Sequence, residues 1–109
     1  MKLPPNVIIP DDKLSKYLLL YKEKNDKSKF LAQAGFTQNN PDELKLAIYQ
    51  LISIVEPIED LTNEYGTFYR AEGILIGINQ KKLSVVTIWL NRKIDNQFQF
   101  VTLKPKKEG

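Results

Sequence analysis

Cysteine and histidine are both absent from this 109-residue sequence. Without cysteine there is no disulfide, no thiolate nucleophile and no zinc–thiolate site, so packing alone must hold the fold. Without histidine the usual proton-transfer group at neutral pH is missing. Acid–base chemistry then falls to Lys, Tyr, Asp or Glu. A metal would need oxygen ligands only, yet the carboxylates come as scattered pairs, Asp11-Asp12, Asp42-Glu43 and Glu59-Asp60. No metal and no other cofactor is expected. Long apolar runs are missing too. Leu18-Leu19-Leu20-Tyr21 falls far short of the roughly 18 residues of a membrane span. Met1-Lys2-Leu3-Pro4-Pro5 leads into no apolar signal segment. The expectation is a cytoplasmic protein with no membrane partner.

What is present fits one small globular domain over residues 1–109. Apolar residues make up 42% of the chain, enough for a modest core rather than a disordered segment. The net charge of +3 is unevenly spread: +3 over residues 1–30, −5 over 31–64 and +5 over 65–109. Basic ends attract nucleic acid or simply stay solvated. The acidic middle suits a partner surface.

Prolines 4, 5 and 10 disfavour helix and predict an extended N-terminal arm, with Val7, Ile8 and Ile9 packing as an edge. Asp11 or Asp12 predicts a cap for a helix from Lys13, with Leu14, Tyr17, Leu18 and Tyr21 at helical spacing. The polar stretch Lys22–Asn25 breaks it. Asp26 then caps a short helix that Gly35 terminates. The clearest signal is Asn39-Asn40-Pro41-Asp42-Glu43, a cap, a first-turn proline and first-turn acids. Leu44, Ala47, Ile48, Leu51, Ile52 and Val55 follow as one apolar stripe. Beyond Pro57 the pattern turns to strands: 57–63, 67–78 with a bulge at Gly73, 83–91 and 97–104. Turns fall at 79–82 and 94–96, and the tail from Pro105 reads as loose. The class is α+β, N-terminal helices packed on an antiparallel β-meander of about four strands.

Short motifs recur through this layout. They are Ile9-Pro10 before Lys13-Leu14, Tyr17-Leu18-Leu19, Lys27-Ser28-Lys29-Phe30 leading to Gly35-Phe36, and Tyr65-Gly66-Thr67-Phe68-Tyr69 with Gly73. Thr87-Ile88-Trp89 and Val101-Thr102 before Pro105 complete the set. Together they resemble an uncharacterised bacterial family, the domain of unknown function with serial label 6883. That family is similar in layout to small RNase-like toxin domains of the barnase, colicin and RelE type. The resemblance implies RNA cleavage or RNA binding without metal, a small antitoxin-like partner, and Lys27, Thr67, Thr87 and Thr102 as catalytic candidates.

Each candidate has two readings. Lys27, near the start of a short helix, supplies charge or a proton to a crowded phosphorane, or is an exposed helix lysine. Lys29 is its basic neighbour on another helical face. Thr67 donates to a phosphate oxygen, or is a strand-start threonine. Arg70 forks onto a phosphate, or pairs with Glu72. Thr87 and Trp89 share one strand face with Val85. They line a groove where a base stacks, or they belong to the core. Thr102 alternates with Phe98 and Phe100. Tyr65 stacks or donates, or packs. The rival to a toxin is a non-catalytic interaction module, such as an immunity or antitoxin-like protein.

Overall fold

The computed structural model of the chain describes residues 2–20 and 27–106. The apolar stripe after Asn40-Pro41 forms the main helix, α2 (Pro41–Ile54), with Leu44, Ala47, Ile48, Leu51 and Ile52 buried. Pro41 gives up no helical hydrogen bond at the first position, and Asp42 and Glu43 meet the positive end of the helix dipole. Asn40 holds the cap position without a capping bond. Its Oδ1 instead accepts from the Thr37 N–H at 2.8 Å, and its Nδ2 donates to the Gly35 carbonyl at 3.0 Å. The side chain therefore ties down the loop that delivers α2.

Helix α1 (Ser28–Ala32) precedes that loop. Beyond it the Gly35 N–H donates to the Ala32 carbonyl at 3.0 Å and the Phe36 N–H to the Leu31 carbonyl at 3.2 Å. This Schellman closure needs a left-handed residue, and Gly35 supplies φ +90. The expected Asp26 cap lies outside the described residues, and Lys27 stands at the cap position. The first helix differs from expectation. Lys13–Leu18 is π-helical, Asp12 makes no capping bond, and the Leu19 N–H donates five residues back to the Leu14 carbonyl at 2.9 Å. Asp11 does not cap either, its carboxylate taking the Lys45 ammonium at 3.2 Å. The wider turn buries Leu19 beside Leu14 and Leu18 and leaves Tyr17 56% exposed. Tyr21, the last residue of the expected stripe, lies outside the described residues.

Four antiparallel strands follow as a meander in the order β1 (Ile58–Asn63), β2 (Gly66–Ile76), β3 (Lys82–Arg92) and β4 (Phe98–Pro105). The α+β expectation holds. Gly66 (φ +146) lies so close to β3 that any Cβ there would stand on the Asn91 carbonyl oxygen. Gly73 is no bulge, since it pairs in register with Val85. A Cβ at Gly73 would meet Val55 Cγ1 at 2.9 Å and Leu51 Cγ at 3.4 Å, so the missing side chain lets the end of α2 settle on the sheet. The irregularities lie elsewhere, in β1 between Glu59 and Thr62 and beside Ile88–Trp89 where β3 meets β4. The strand also runs past the expected end. Pro105 still pairs with Val85, and the Lys106 N–H donates to the Ser84 carbonyl at 3.0 Å.

Side chains alternate across a strand, and the two faces of this sheet have different fates. One carries Ala71, Leu75, Val85, Trp89, Phe100 and Leu103, all fully enclosed beneath the helices. The N-terminal arm closes β4 as the sequence suggests, with the Ile8 N–H donating to the Phe98 carbonyl and the Phe100 N–H to the Ile8 carbonyl, both at 2.8 Å. The other face carries Phe68, Arg70, Glu72, Ile88 and Leu90 and stays half-exposed.

Candidate functional site

The candidate site is built on that half-exposed face. Arg70 on β2 pairs with Ile88 on β3, which pairs with Thr102 on β4, so the three form one row across the sheet. Partners in an antiparallel ladder project to the same side, and two strand spacings separate the ends of the row by about 10 Å. The Lys27 ammonium reaches this row and donates to Thr102 Oγ1 at 3.0 Å across 75 positions of sequence. Glu72, Val86 and Lys104 form the next row. Glu72 Oε2 lies 3.5 Å from an Arg70 terminal nitrogen, and its Oε1 lies 3.2 Å from the Lys106 ammonium. A cleft of about 350 Å³ opens between Arg70, Glu72, Lys104 and Lys106. The Arg70 Nε is enclosed without a hydrogen bond, the nearest acid being Asp60 at 4.0 Å. Arg70 is thus held by long, single-point contacts, and its fork is not committed to one carboxylate.

The other candidates sit apart. Thr87 and Trp89 have no exposed surface. The Trp89 indole N–H donates to Thr87 Oγ1 at 2.8 Å, Thr87 Oγ1 donates to the Ala71 carbonyl at 2.9 Å, and the indole meets Phe100 edge-on at 5.3 Å. Both polar groups are satisfied inside the core, and no base reaches the ring. Thr67 faces Asn91, three residues along β2 from Arg70 and therefore on the other face. Its hydroxyl lies 3.1 Å from that of Thr62. Lys29 lines a separate cleft with Leu20 and Phe36. Tyr65 is 65% exposed. It lines a cleft of about 510 Å³ with Leu90, Arg92 and Gln99, farther along the half-exposed face. Of the catalytic candidates, the fold brings together Lys27 and Thr102, with Arg70 in the same row.

Glu72, Lys104 and Lys106 join this group without having been singled out as site residues. The signal was weak but present: Arg70 and Glu72 have the same parity, and register through the second hairpin sets Lys104 beside them. Tyr69 takes the opposite parity. It packs edge-on against Phe98 at 5.4 Å and donates to Glu59 at 3.4 Å. Burial first, then the charge of Glu59 and its hydrogen bond, raise the Tyr69 phenol above its ordinary value. It therefore stays a donor and offers no base. Among the described residues no three carboxylates gather closely enough to hold a metal ion. No described helix is long and apolar enough to cross a membrane.

The family model for the Domain of unknown function (DUF6883) matches residues 2–107. The chain belongs to this family. Among solved structures, one chain of the contact-dependent growth inhibition toxin–immunity protein complex from Klebsiella pneumoniae 342 is similar, with a TM-score of 0.67 at 20% identity. The match covers 94% of this chain and 96% of that one. At that identity the likeness is one of fold alone. No curated protein matches the sequence.

Proposed function

We propose that this family member is an RNA-directed, toxin-type protein that cleaves RNA without a metal on the half-exposed face of its sheet. The observation that carries the reading is the Lys27–Thr102 contact at 3.0 Å, which holds an ammonium at the β4 end of the row that contains Arg70. RNA cleavage of this kind moves the ribose 2′-oxygen onto the adjacent phosphorus and expels the 5′-oxygen. It needs an acceptor for the 2′-proton, charge for the phosphorane and a donor to the leaving oxygen. Glu72 is the acceptor in this reading. Arg70 holds a phosphate oxygen, and Lys27, oriented by Thr102, neutralises the phosphorane and protonates the leaving group. The similar fold in a chain of a toxin–immunity complex fits a toxin or an immunity-like role and suggests a protein partner.

Pure protein incubated with total RNA and EDTA should cut it and leave 2′,3′-cyclic phosphate ends. Lys27→Ala and Glu72→Gln should each lower the rate on the order of 10²-fold or more. Thr102→Val should cost less, since it removes one neutral hydrogen bond. RNA left intact by folded wild-type protein sinks the enzyme. A second reading, a non-catalytic interaction module, is favoured by the enclosure of Thr87 and Trp89, which takes them out of any surface site. In that case Lys27–Thr102 is a strut between α1 and β4, and Lys27→Ala lowers the melting temperature instead.

A further inference from the structure

All six residues of β1 are exposed, although the strand pairs with β2. Among the described residues its only neighbour in the ladder is β2, and no described strand pairs with its outer edge. Proteins usually blunt such an edge with charges or a bulge, because free N–H and C=O groups template further strands. This edge has both devices, with Glu59 and Asp60 on the strand and the irregularity between Glu59 and Thr62. Protection alone does not account for its apolar residues. Ile58 and Leu61 are 52% and 54% exposed, and no polar side chain replaces them. Residues 56–64 hold four acids and no base.

A second copy of the chain is a poor occupant. Pairing of β1 with its own copy brings together two segments that each carry four acids and no base over residues 56–64, and like-charge repulsion disfavours it. Pairing of β1 with the far edge of the sheet is obstructed, because Ile8 already occupies the Phe98–Phe100 stretch of β4 and Pro105 ends the strand without an N–H. We infer that β1 is a docking edge for a different protein, one that adds a strand bearing alternate basic and apolar side chains beside Ile58–Asn63. Main-chain bonds would give the affinity. Contacts of Ile58 and Leu61 with apolar residues, and of Glu59 with a basic residue opposite, would give the choice of partner. β1 adjoins the Arg70–Thr102 row, since Ile58 pairs with Arg70 and Asp60 lies 4.0 Å from the Arg70 Nε, but docking along its outer edge requires no RNA cleavage.

The test uses the full chain and two capped synthetic peptides, one alternating lysine and valine and the other glutamate and valine. Backbone amide shifts and hydrogen exchange are followed by NMR. The lysine–valine peptide should shift and protect amides of residues 58–63 saturably, and the effect should weaken with salt. The glutamate–valine peptide should leave them unchanged. Glu59→Lys combined with Asp60→Lys should weaken lysine–valine binding by roughly tenfold. Because these acids also meet Tyr69 and Arg70, Leu61→Thr is a second variant, and it should weaken binding with an unchanged melting curve. Three results would each overturn the inference: no protection of β1, equal binding of both peptides, or a dimer in sedimentation whose β1 amides are already protected.

Discussion

Thr87 shows how a residue that looks chemical is used for structure. Its hydroxyl both donates to the Ala71 carbonyl and accepts from the Trp89 indole. Thr87→Val would leave the indole N–H buried and unpaired. That should destabilise the protein by about 1–3 kcal/mol in denaturant unfolding. A change in RNA activity without that loss would return Thr87 to the site. Tyr69 gives a pH-dependent counterpart. Its folded pKa is raised, so the fold favours the protonated phenol. That contribution is fully present below the unfolded value near about 10 and is lost as pH rises through the folded value. Stability of Tyr69→Phe should therefore fall less steeply than that of the wild type in the alkaline range. Parallel curves would show that the phenol titrates alike in both states.

At the level of elements, α2 and the sheet were the most legible parts, because their signals are periodic and repeated. The stripe from Leu44 to Ile52 faces the core, and Leu51→Ala should cost roughly 2–5 kcal/mol by opening a cavity under Gly73. Gly73→Ala tests the same contact from the other side. The added Cβ must push Val55 or Leu51, so a loss of about 1–3 kcal/mol is expected in thermal or denaturant unfolding. A neutral effect would mean that the end of α2 yields freely. The glycine was readable as special, but its reason was not. A bulge and a close helix approach leave the same mark in sequence, and only the position of α2 decides between them. The π-helical turn at Lys13–Leu18 was illegible for a related reason. Leu14, Leu18 and Leu19 satisfy a burial pattern that 3.6-residue spacing approximates, and the five-residue hydrogen bond from Leu19 lies in a segment that packs on α2 and β4, contacts that local spacing does not record.

For the whole molecule, the sequence separates charge along the chain, and the fold brings the two signs side by side. Arg70, Lys104 and Lys106 border a cleft on the half-exposed face, while Glu59 and Asp60 lie on the neighbouring edge strand, Asp60 4.0 Å from the Arg70 Nε. The site was only half legible. Lys27 and Thr102 are 75 positions apart, and nothing local records that they meet. Strand parity linked Arg70 to Glu72, but which face the helices would cover was open, so Thr87 and Trp89 kept a groove reading beside the core one that an aromatic favours. If RNA lies on the basic face, its affinity should fall steeply with salt. Each neutralised phosphate on a single strand contributes a log–log slope of about −0.7. Arg70→Ala and Lys104→Ala should each flatten that slope, while Lys45→Ala, on α2, should not.

The most direct measurement of where RNA acts is an amide chemical-shift map of the full chain, titrated at low salt with a short single-stranded RNA in which the ribose 2′-hydroxyls are methylated to prevent cleavage. Saturable shifts are expected at Arg70, Glu72, Ile88, Thr102 and Lys104, with the Lys27→Ala variant weakening all of them together. Shifts confined to α2 or to the β1 edge, or no shifts at all, would contradict the proposed site.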